Sequence, residues 1–242
     1  LICVPSAITE VERRAVTDAT RRAGAADAQL LEQPVAAAIG ANLPIDEPVG
    51  NMVIDIGGGT TETAVLSLGG IVALEAVRVG SFDIDTEIQS HVRRNHGIAI
   101  GERTAEEIKK SIGSAMPMPG DTDAEVRGRD LVTGLPKTVI LTSKEIREAI
   151  NPVVTQMVDS VVRCLGVAPP ELSQDFLKRG MYLVGGGALL TGMGERIARD
   201  TNVPIVLSND ALEAVVLGAG HCVENFAELR SLFMDSRRDL NE

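Results

Sequence analysis

Two glycine clusters, each directly behind a short apolar run, constrain this chain more than anything else in it. The first is Asp55-Ile56-Gly57-Gly58-Gly59-Thr60-Thr61-Glu62, after Met52-Val53-Ile54. The second is Gly185-Gly186-Gly187-Ala188, after Met181-Tyr182-Leu183-Val184. Glycine at a strand end lets the backbone turn with positive φ and approach a ligand with no Cβ in the way. Two such turns facing each other would hold one phosphate-bearing molecule between them. Asp55 and the Thr60-Thr61 pair add the carboxylate and hydroxyls that suit a metal–phosphate group.

The pattern around these turns predicts an α/β fold. Leu1 to Pro5 reads as the end of a buried strand, so the expectation is a chain that has lost an N-terminal part. Thr9-Glu10-Val11-Glu12 fits a capping box, opening a helix with Val11, Ala15, Ala19 and Ala23 at helical spacing and Gly24 at its end. A short strand at 29–31 leads to a small-residue helix at 35–41 behind Pro34, then a linker at 42–50. Strands at 52–56, 61–68 and 71–79, with a turn at Gly69-Gly70, predict a meander. The first of these is a near-continuous apolar run, as in a strand buried on both faces, and the second alternates.

Helices are expected at 81–96 and 104–112, a loop from Pro117 to Asp121, and short strands at 124–131 and 137–141. Thr142-Ser143-Lys144-Glu145 is a second capping box. It opens a long helix with Ile146, Ile150, Val154, Met157, Val158, Val161 and Leu165 on one face and an expected kink at Pro152. Past Pro169-Pro170 come a short helix, the second glycine strand, a helix at 189–200, a strand at 204–207 and a helix at 211–232. The tail after Met234 is expected to fray.

Composition removes several function classes. A net charge of -11, four Phe, one Tyr and no Trp argue against a nucleic-acid surface. Cys3, Cys164 and Cys222 are scattered without a C-x-x-C, which reads as reduced thiols rather than a disulfide or zinc framework. His91 and His96 stand five apart, not a same-face ligand spacing, and are expected at the surface with His221 elsewhere. No apolar run is long enough to span a membrane. No lysine follows a glycine, which excludes a P-loop, and Glu62 and Leu190 break the dinucleotide pattern G-x-G-x-x-G. No G-x-S-x-G or H-E-x-x-H occurs. What remains is a glycine-hairpin phosphate clamp, its turn N–H groups forming a nest and Asp55 placed to hold Mg²⁺. The second cluster is expected to enter a helix whose N-terminus favours anions.

These residues, with Glu32-Gln33-Pro34-Val35-Ala36-Ala37-Ala38-Ile39-Gly40, resemble the actin superfamily of ATPases, and within it the bacterial cell-shape actins of the MreB and Mbl type. Val4-Pro5-Ser6, Val11-Glu12-Arg13-Arg14-Ala15, Thr104-Ala105-Glu106-Glu107-Ile108-Lys109 and Pro169-Pro170-Glu171-Leu172 extend the resemblance along nearly the whole chain. It implies two ribonuclease-H-like lobes with ATP and Mg²⁺ between them. The remainder of the first lobe would be 1–45, and the second-lobe core 46–79 and 143–215. An inserted small subdomain would be 80–142, and a C-terminal helix and tail returning to the first lobe 216–242. By the same resemblance Gly57, Gly58, Gly59, Thr60 and Thr61 would form the second phosphate loop, with Asp55 near the metal. Glu106 and Lys109 would contact the nucleoside, and Gly185, Gly186, Gly187, Ala188 and Leu189 would lie against the adenosine. Gln33, Glu32 and Thr60 are the catalytic candidates.

Three departures accompany the resemblance. Gln33 stands where these proteins usually carry a water-positioning glutamate, as glutamine does in eukaryotic actins. An amide orients a water but is not a base, so slow hydrolysis is expected. Gly80-Ser81-Phe82-Asp83 replaces a usual Gly-Gly-Asp. The family's Asp-x-Gly-Thr first phosphate loop and N-terminal membrane-binding region are not in the sequence. The implied role is a cytoplasmic ATPase at the inner face of the cell membrane. It would polymerise with itself and work with a RodZ-type membrane partner and the cell-wall elongation machinery. The alternatives are a chaperone-type or sugar-kinase-type ATPase of the same superfamily, or a nucleotide-binding scaffold with little hydrolysis.

Overall fold

Apolar side chains at alternating positions of one strand need cover on two sides, and this requirement organises the whole chain. In β3 (Asn51–Ile56) Met52, Ile54 and Ile56 join one apolar cluster while Val53 joins another. The computed structural model describes residues 1–120 and 122–234. Asp121 of the expected loop and the tail beyond Met234 lie outside the described residues.

β1 (Ile2–Val4) pairs in parallel with β2 (Leu30–Glu32), Val4 opposite Glu32, with α1 (Glu10–Arg22) between them. β2 runs directly into α2 (Gln33–Gly40), where proline in the first turn suits the missing N–H bond. β3, β4 (Thr61–Ser67) and β5 (Gly70–Val77) form the antiparallel meander. Leu68 and Gly69 both take positive φ in its hairpin turn. β9 (Met181–Val184) and β10 (Ile205–Leu207) add in parallel on the other side of β3, giving the order β10-β9-β3-β4-β5.

One face of this sheet is covered by α3 (Ser81–His96) and α5 (Ser143–Val167), the other by α2 and α8 (Ala214–Glu224). Burial on both faces is why β4 is buried from Thr61 to Leu66 although its sequence alternates. α2 and α8 meet backbone to backbone. A Cβ on Gly40 would lie 1.8 Å from the Ala214 carbonyl oxygen, and one on Gly218 equally close to that of Ala36.

Between α3 and α5 the chain makes a smaller unit. β6 (Ile98–Ala99), β7 (Asp123–Asp130) and β8 (Pro136–Thr142) form an antiparallel sheet, with α4 (Glu102–Ile112) packed on α3 and β7. After α5 come a 3₁₀ turn at Pro170–Leu172 and α6 (Ser173–Arg179).

Local chemistry accounts for most boundaries. Thr9 and Glu12 exchange both bonds of a capping box, and Gly24 leaves α1 at φ +103°. The small-residue stripe of α1 does not face the core, however. Val11 is 76% exposed, and Thr17 is the buried residue of that helix. The second capping box is half made. Thr142 Oγ1 accepts from the Glu145 N–H at 3.1 Å, but the Glu145 carboxylate turns away to two histidines. α5 runs through Pro152 unbroken. The helix expected at 189–200 is a 3₁₀ turn at Gly186–Leu189 followed by α7 (Met193–Thr201), separated by Gly192 at φ +77°. The last expected helix is α8, which stops at Glu224, followed by a 3₁₀ turn at Arg230–Leu232. The chain then returns to β2, where the Met234 N–H donates to the Leu30 carbonyl.

Candidate functional site

The first glycine turn is closed by the Gly57 N–H donating to the Thr60 carbonyl at 2.9 Å. None of its three glycines takes positive φ, contrary to the expectation from sequence. Space explains one of them. A Cβ on Gly58 would meet the Phe82 ring at 2.6 Å, while Gly59 faces open space. Two carbonyls of the turn are bonded to the start of α3: Ser81 N–H donates to Gly57 and Phe82 N–H to Gly58. Gly80 can only be glycine here, since its Cβ would lie 2.3 Å from the Gly58 carbonyl oxygen.

The second cluster docks against the end of β3. Cβ atoms on Gly185 and Gly187 would strike the Ile56 carbonyl oxygen and side chain at 2.4 and 2.3 Å, and Gly185 takes φ +86°. These two glycines are therefore required by packing. Gly186 differs, its Cβ direction meeting only the flexible Leu212 side chain at 3.2 Å. The cluster does not open an α-helix, because the 3₁₀ turn intervenes, so no α-helical N-terminus points at a ligand there.

A cleft of about 520 Å³ brings the two clusters together. Gly58, Gly186, Gly187 and Leu189 line it with Glu106 and Lys109 of α4. Ser81, Phe82, Lys110, Thr191 and Leu212 line it too and were not anticipated. Leu189 is 56% exposed on this wall, whereas Ala188 is buried beneath it. Phe82 and Leu212 could not have been found by motif, since both reach the cleft only through tertiary packing.

Glu106 and Lys109 share one face of α4 but do not pair with each other. Lys109 Nζ donates to Asp85 Oδ2 at 2.8 Å and to the Ser81 carbonyl at 3.1 Å. Glu106 pairs with Lys110 at 2.6 Å, which holds its carboxyl below the usual range. Burial pushes Asp85 up despite the opposing ammonium of Lys109, and its Oδ1 is buried without a partner.

Three carboxylates gather on the other side of the first turn. Burial raises Asp55 from the usual 3.8 to about 6. Glu62, cross-strand from Asp55, is also raised by burial, opposed by the Ser6 N–H that donates to its Oε2, and raised further by Asp55 and Glu32. Its Oε1 is buried and unpartnered. Burial raises Glu32 as well, with the Ser6 hydroxyl and Arg13 opposing. Gln33 follows at the first position of α2, half-buried. Glu32, Gln33 and Asp55 do not line the cleft; Gly59, Thr60 and Glu62 line a separate depression with Glu12 and Arg78. Thr61 points elsewhere. It is fully buried and its hydroxyl donates to the Val79 carbonyl at 2.8 Å. A desolvated acidic group of this kind is short of positive charge, and its hard oxygen donors suit a small divalent cation.

Comparison with known proteins decides the family. The MreB/Mbl protein family model matches residues 1–231. This chain belongs to the MreB/Mbl family. It is 48% identical over 224 residues to the cell shape-determining protein MreB of Escherichia coli K12, covering 93% of this chain and 65% of that protein. To the cell shape-determining protein Mbl of Bacillus subtilis 168 it is 40% identical over 229 residues, covering 95% of the chain and 69% of Mbl. It thus spans about two thirds of the length of these relatives.

The fold of this family member is actin-like. The crystal structure of MreB5 of Spiroplasma citri bound to ADP superposes with a TM-score of 0.89 at 34% identity, over 95% of this chain and 70% of that one. The AMPPNP-bound form gives 0.88. The MamK double helical filament, at 16% identity and a TM-score of 0.74, shares the fold. Among the described residues no helix is long and apolar enough to cross a membrane.

Proposed function

We propose that this chain carries the nucleotide-gripping part of an actin-like cytoskeletal ATPase that polymerises to guide cell-wall growth. The observation that carries the reading is the single cleft lined by both glycine clusters and by Glu106 and Lys109 of α4. A flat adenine needs a wall without side chains, and Gly186, whose Cβ direction meets only the cleft-lining Leu212, supplies it. Lys109 and Glu106 face the same cleft, where a ribose would meet them. Gly57 to Thr60 would take the phosphates, with Gly59 facing open space. Thr61 acts by fixing the turn to Val79 rather than by touching the ligand. MreB5 of Spiroplasma citri, bound to ADP in one crystal structure and to AMPPNP in another, supports an adenine nucleotide as the ligand.

The acidic side of the site fits Mg²⁺. Asp55 is desolvated and Glu62 keeps an orphaned buried oxygen. Asp55 would hold the ion, directly or through water, and the ion would offset phosphate charge. Gln33, next to this group, orients a water without accepting its proton, so turnover is slow. Glu32 and Thr60 are the remaining catalytic candidates.

The lobes follow the same reading: 1–45 and the described residues from 216 to 234 in the first lobe, 46–79 and 143–215 in the second, and 80–142 inserted. Self-association is supported by exposed apolar side chains on the β7–β8 hairpin, where Val132 is 93% and Ile140 65% exposed. A RodZ-type membrane partner, the wall-elongation machinery and a place at the inner face of the membrane complete the role.

Titration with a fluorescent ATP analogue and Mg²⁺ tests the cleft. Binding is expected for the native chain and a drop of about tenfold or more for Gly186→Val, which fills the wall. Equal binding by both would remove the cleft from the reading. Sedimentation with ATP tests assembly, and the absence of ATP-dependent pelleting at every concentration would overturn the filament role.

A further inference from the structure

His91 and His96 lie on the same helix at a spacing that separates them by roughly 140° around its axis. Their side chains nevertheless meet. His96 is the last residue of α3, and Gly97 ends the helix at φ +66°. Both Nε2 atoms lie on one oxygen of Glu145, His91 at 2.7 Å and His96 at 2.6 Å from Oε1. One ligand atom from each of the three residues falls within 4.8 Å of the others. The side chains are 12, 23 and 24% exposed, shielded but reachable from solvent.

Two further features distinguish this cluster from an ordinary surface pair. Glu145 sits where it could complete the capping box of α5, yet it gives both imidazoles its oxygen instead. The two rings stand with centroids 6.3 Å apart and planes tilted by 55°, so that both Nε2 atoms converge on that one oxygen. A single carboxylate oxygen thus stands against two imidazole nitrogens, each needing a proton to make the bond. One divalent cation can replace both protons. It would have two imidazole nitrogens and one carboxylate oxygen as ligands, with a fourth position open to water.

We propose that His91, His96 and Glu145 form a binding site for a zinc-class divalent cation. The rearrangement required is small. Tetrahedral coordination at about 2.0–2.1 Å sets ligand atoms roughly 3.3 Å apart, so the two contacts must open by about 0.6 Å. Asn95 stands beside the cluster, its Nδ2 lying 3.4 Å from both Nδ1 and Nε2 of His91.

The position gives the site a purpose. The chain leaves α3 for the small sheet at His96-Gly97 and returns from β8 through Thr142 into α5, where Glu145 lies in the first turn. Both connections of the β6–β8 unit therefore pass the cluster. A bound cation ties them together and fixes that unit on the α3–α5 face.

Titrating the metal-stripped chain with Co²⁺ tests this directly. One equivalent should bind, with the visible absorption of a four-coordinate centre, and Zn²⁺ should displace it. His96→Gln and Glu145→Gln should each weaken binding by tenfold or more, and Asn95→Ala by less. His221→Gln on α8 should leave binding unchanged. Circular dichroism melts without metal establish that each variant is folded. Should a variant fail to fold, the imidazole proton resonances of the native chain provide the test, and His91 and His96 should shift on Zn²⁺ addition while His221 does not. No stoichiometric Co²⁺ uptake by the native chain, or uptake undiminished in folded His96→Gln, would overturn the proposal. So would Zn²⁺ shifts that spare both histidines.

Discussion

Replacing Asp55 with asparagine should stabilise the nucleotide-free protein at neutral pH. Asp55 is 6% exposed at the junction of β3, β4 and β9, and burial raises its carboxyl from 3.8 to about 6. The folded state therefore holds this proton more tightly than the unfolded chain does. Above about pH 6 the folded protein must keep a buried charge, and below 3.8 that penalty is gone. The shift corresponds to roughly 3 kcal/mol at pH 7.5. Asn is nearly the same shape and carries no charge, so Asp55→Asn should recover up to about 3 kcal/mol, or about 6–12 °C in Tm for a chain of this size. The gain should shrink as pH falls from 6 towards 4. Glu62 and Glu32 share the same surroundings, so the midpoint of that decline belongs to the cluster. The assay is thermal melting of both proteins from pH 4 to 8, without nucleotide or Mg²⁺. Mg²⁺-dependent nucleotide affinity should move the opposite way and weaken in the variant. Equal stability at pH 7.5, or a gain as large at pH 4, would refute the reasoning.

Other substitutions probe different parts of the structure. Gly218→Ala puts a Cβ 1.8 Å from the Ala36 carbonyl and should cost about 3 kcal/mol or more in urea unfolding; a cost under 1 kcal/mol would mean that α2 and α8 move apart easily. Lys109→Met leaves Asp85 buried and unpaired, and should destabilise by about 3 kcal/mol. Adding Asp85→Asn should restore much of that loss, and additive losses would contradict the pairing. Gln33→Glu should speed phosphate release by about tenfold or more, and equal rates would show that Gln33 does not position the attacking water.

Much of the fold was legible because its signals are local. Apolar runs marked β3 and β9, caps marked α1 and α5, and glycine turns marked the meander. The expectation that failed for α1 shows the limit of periodicity, since Val11 and Ala15 repeat correctly but Thr17 and Arg13 lie on the inner side. The glycines were found for an incomplete reason. Gly185 and Gly187 are glycine because Ile56 presses on them, a contact between distant strands that spacing cannot reveal. Thr61 looked like a ligand hydroxyl in the motif, yet strand alternation turns it inward to Val79. Spacing places His91 and His96 at the surface on different sides of α3, and both do stay on that helix. What spacing cannot show is Glu145 of α5, whose carboxylate lies between them and draws both rings to one oxygen.

The bonds from Ser81 and Phe82 to the first glycine turn make α3 continuous with it, without an intervening flexible linker. A helix of 16 residues is about 24 Å long and nearly incompressible along its axis. Its other end is His96, at the neck of the insert. The turn and the small sheet are therefore joined by one stiff element, so the position of one fixes the position of the other across its length.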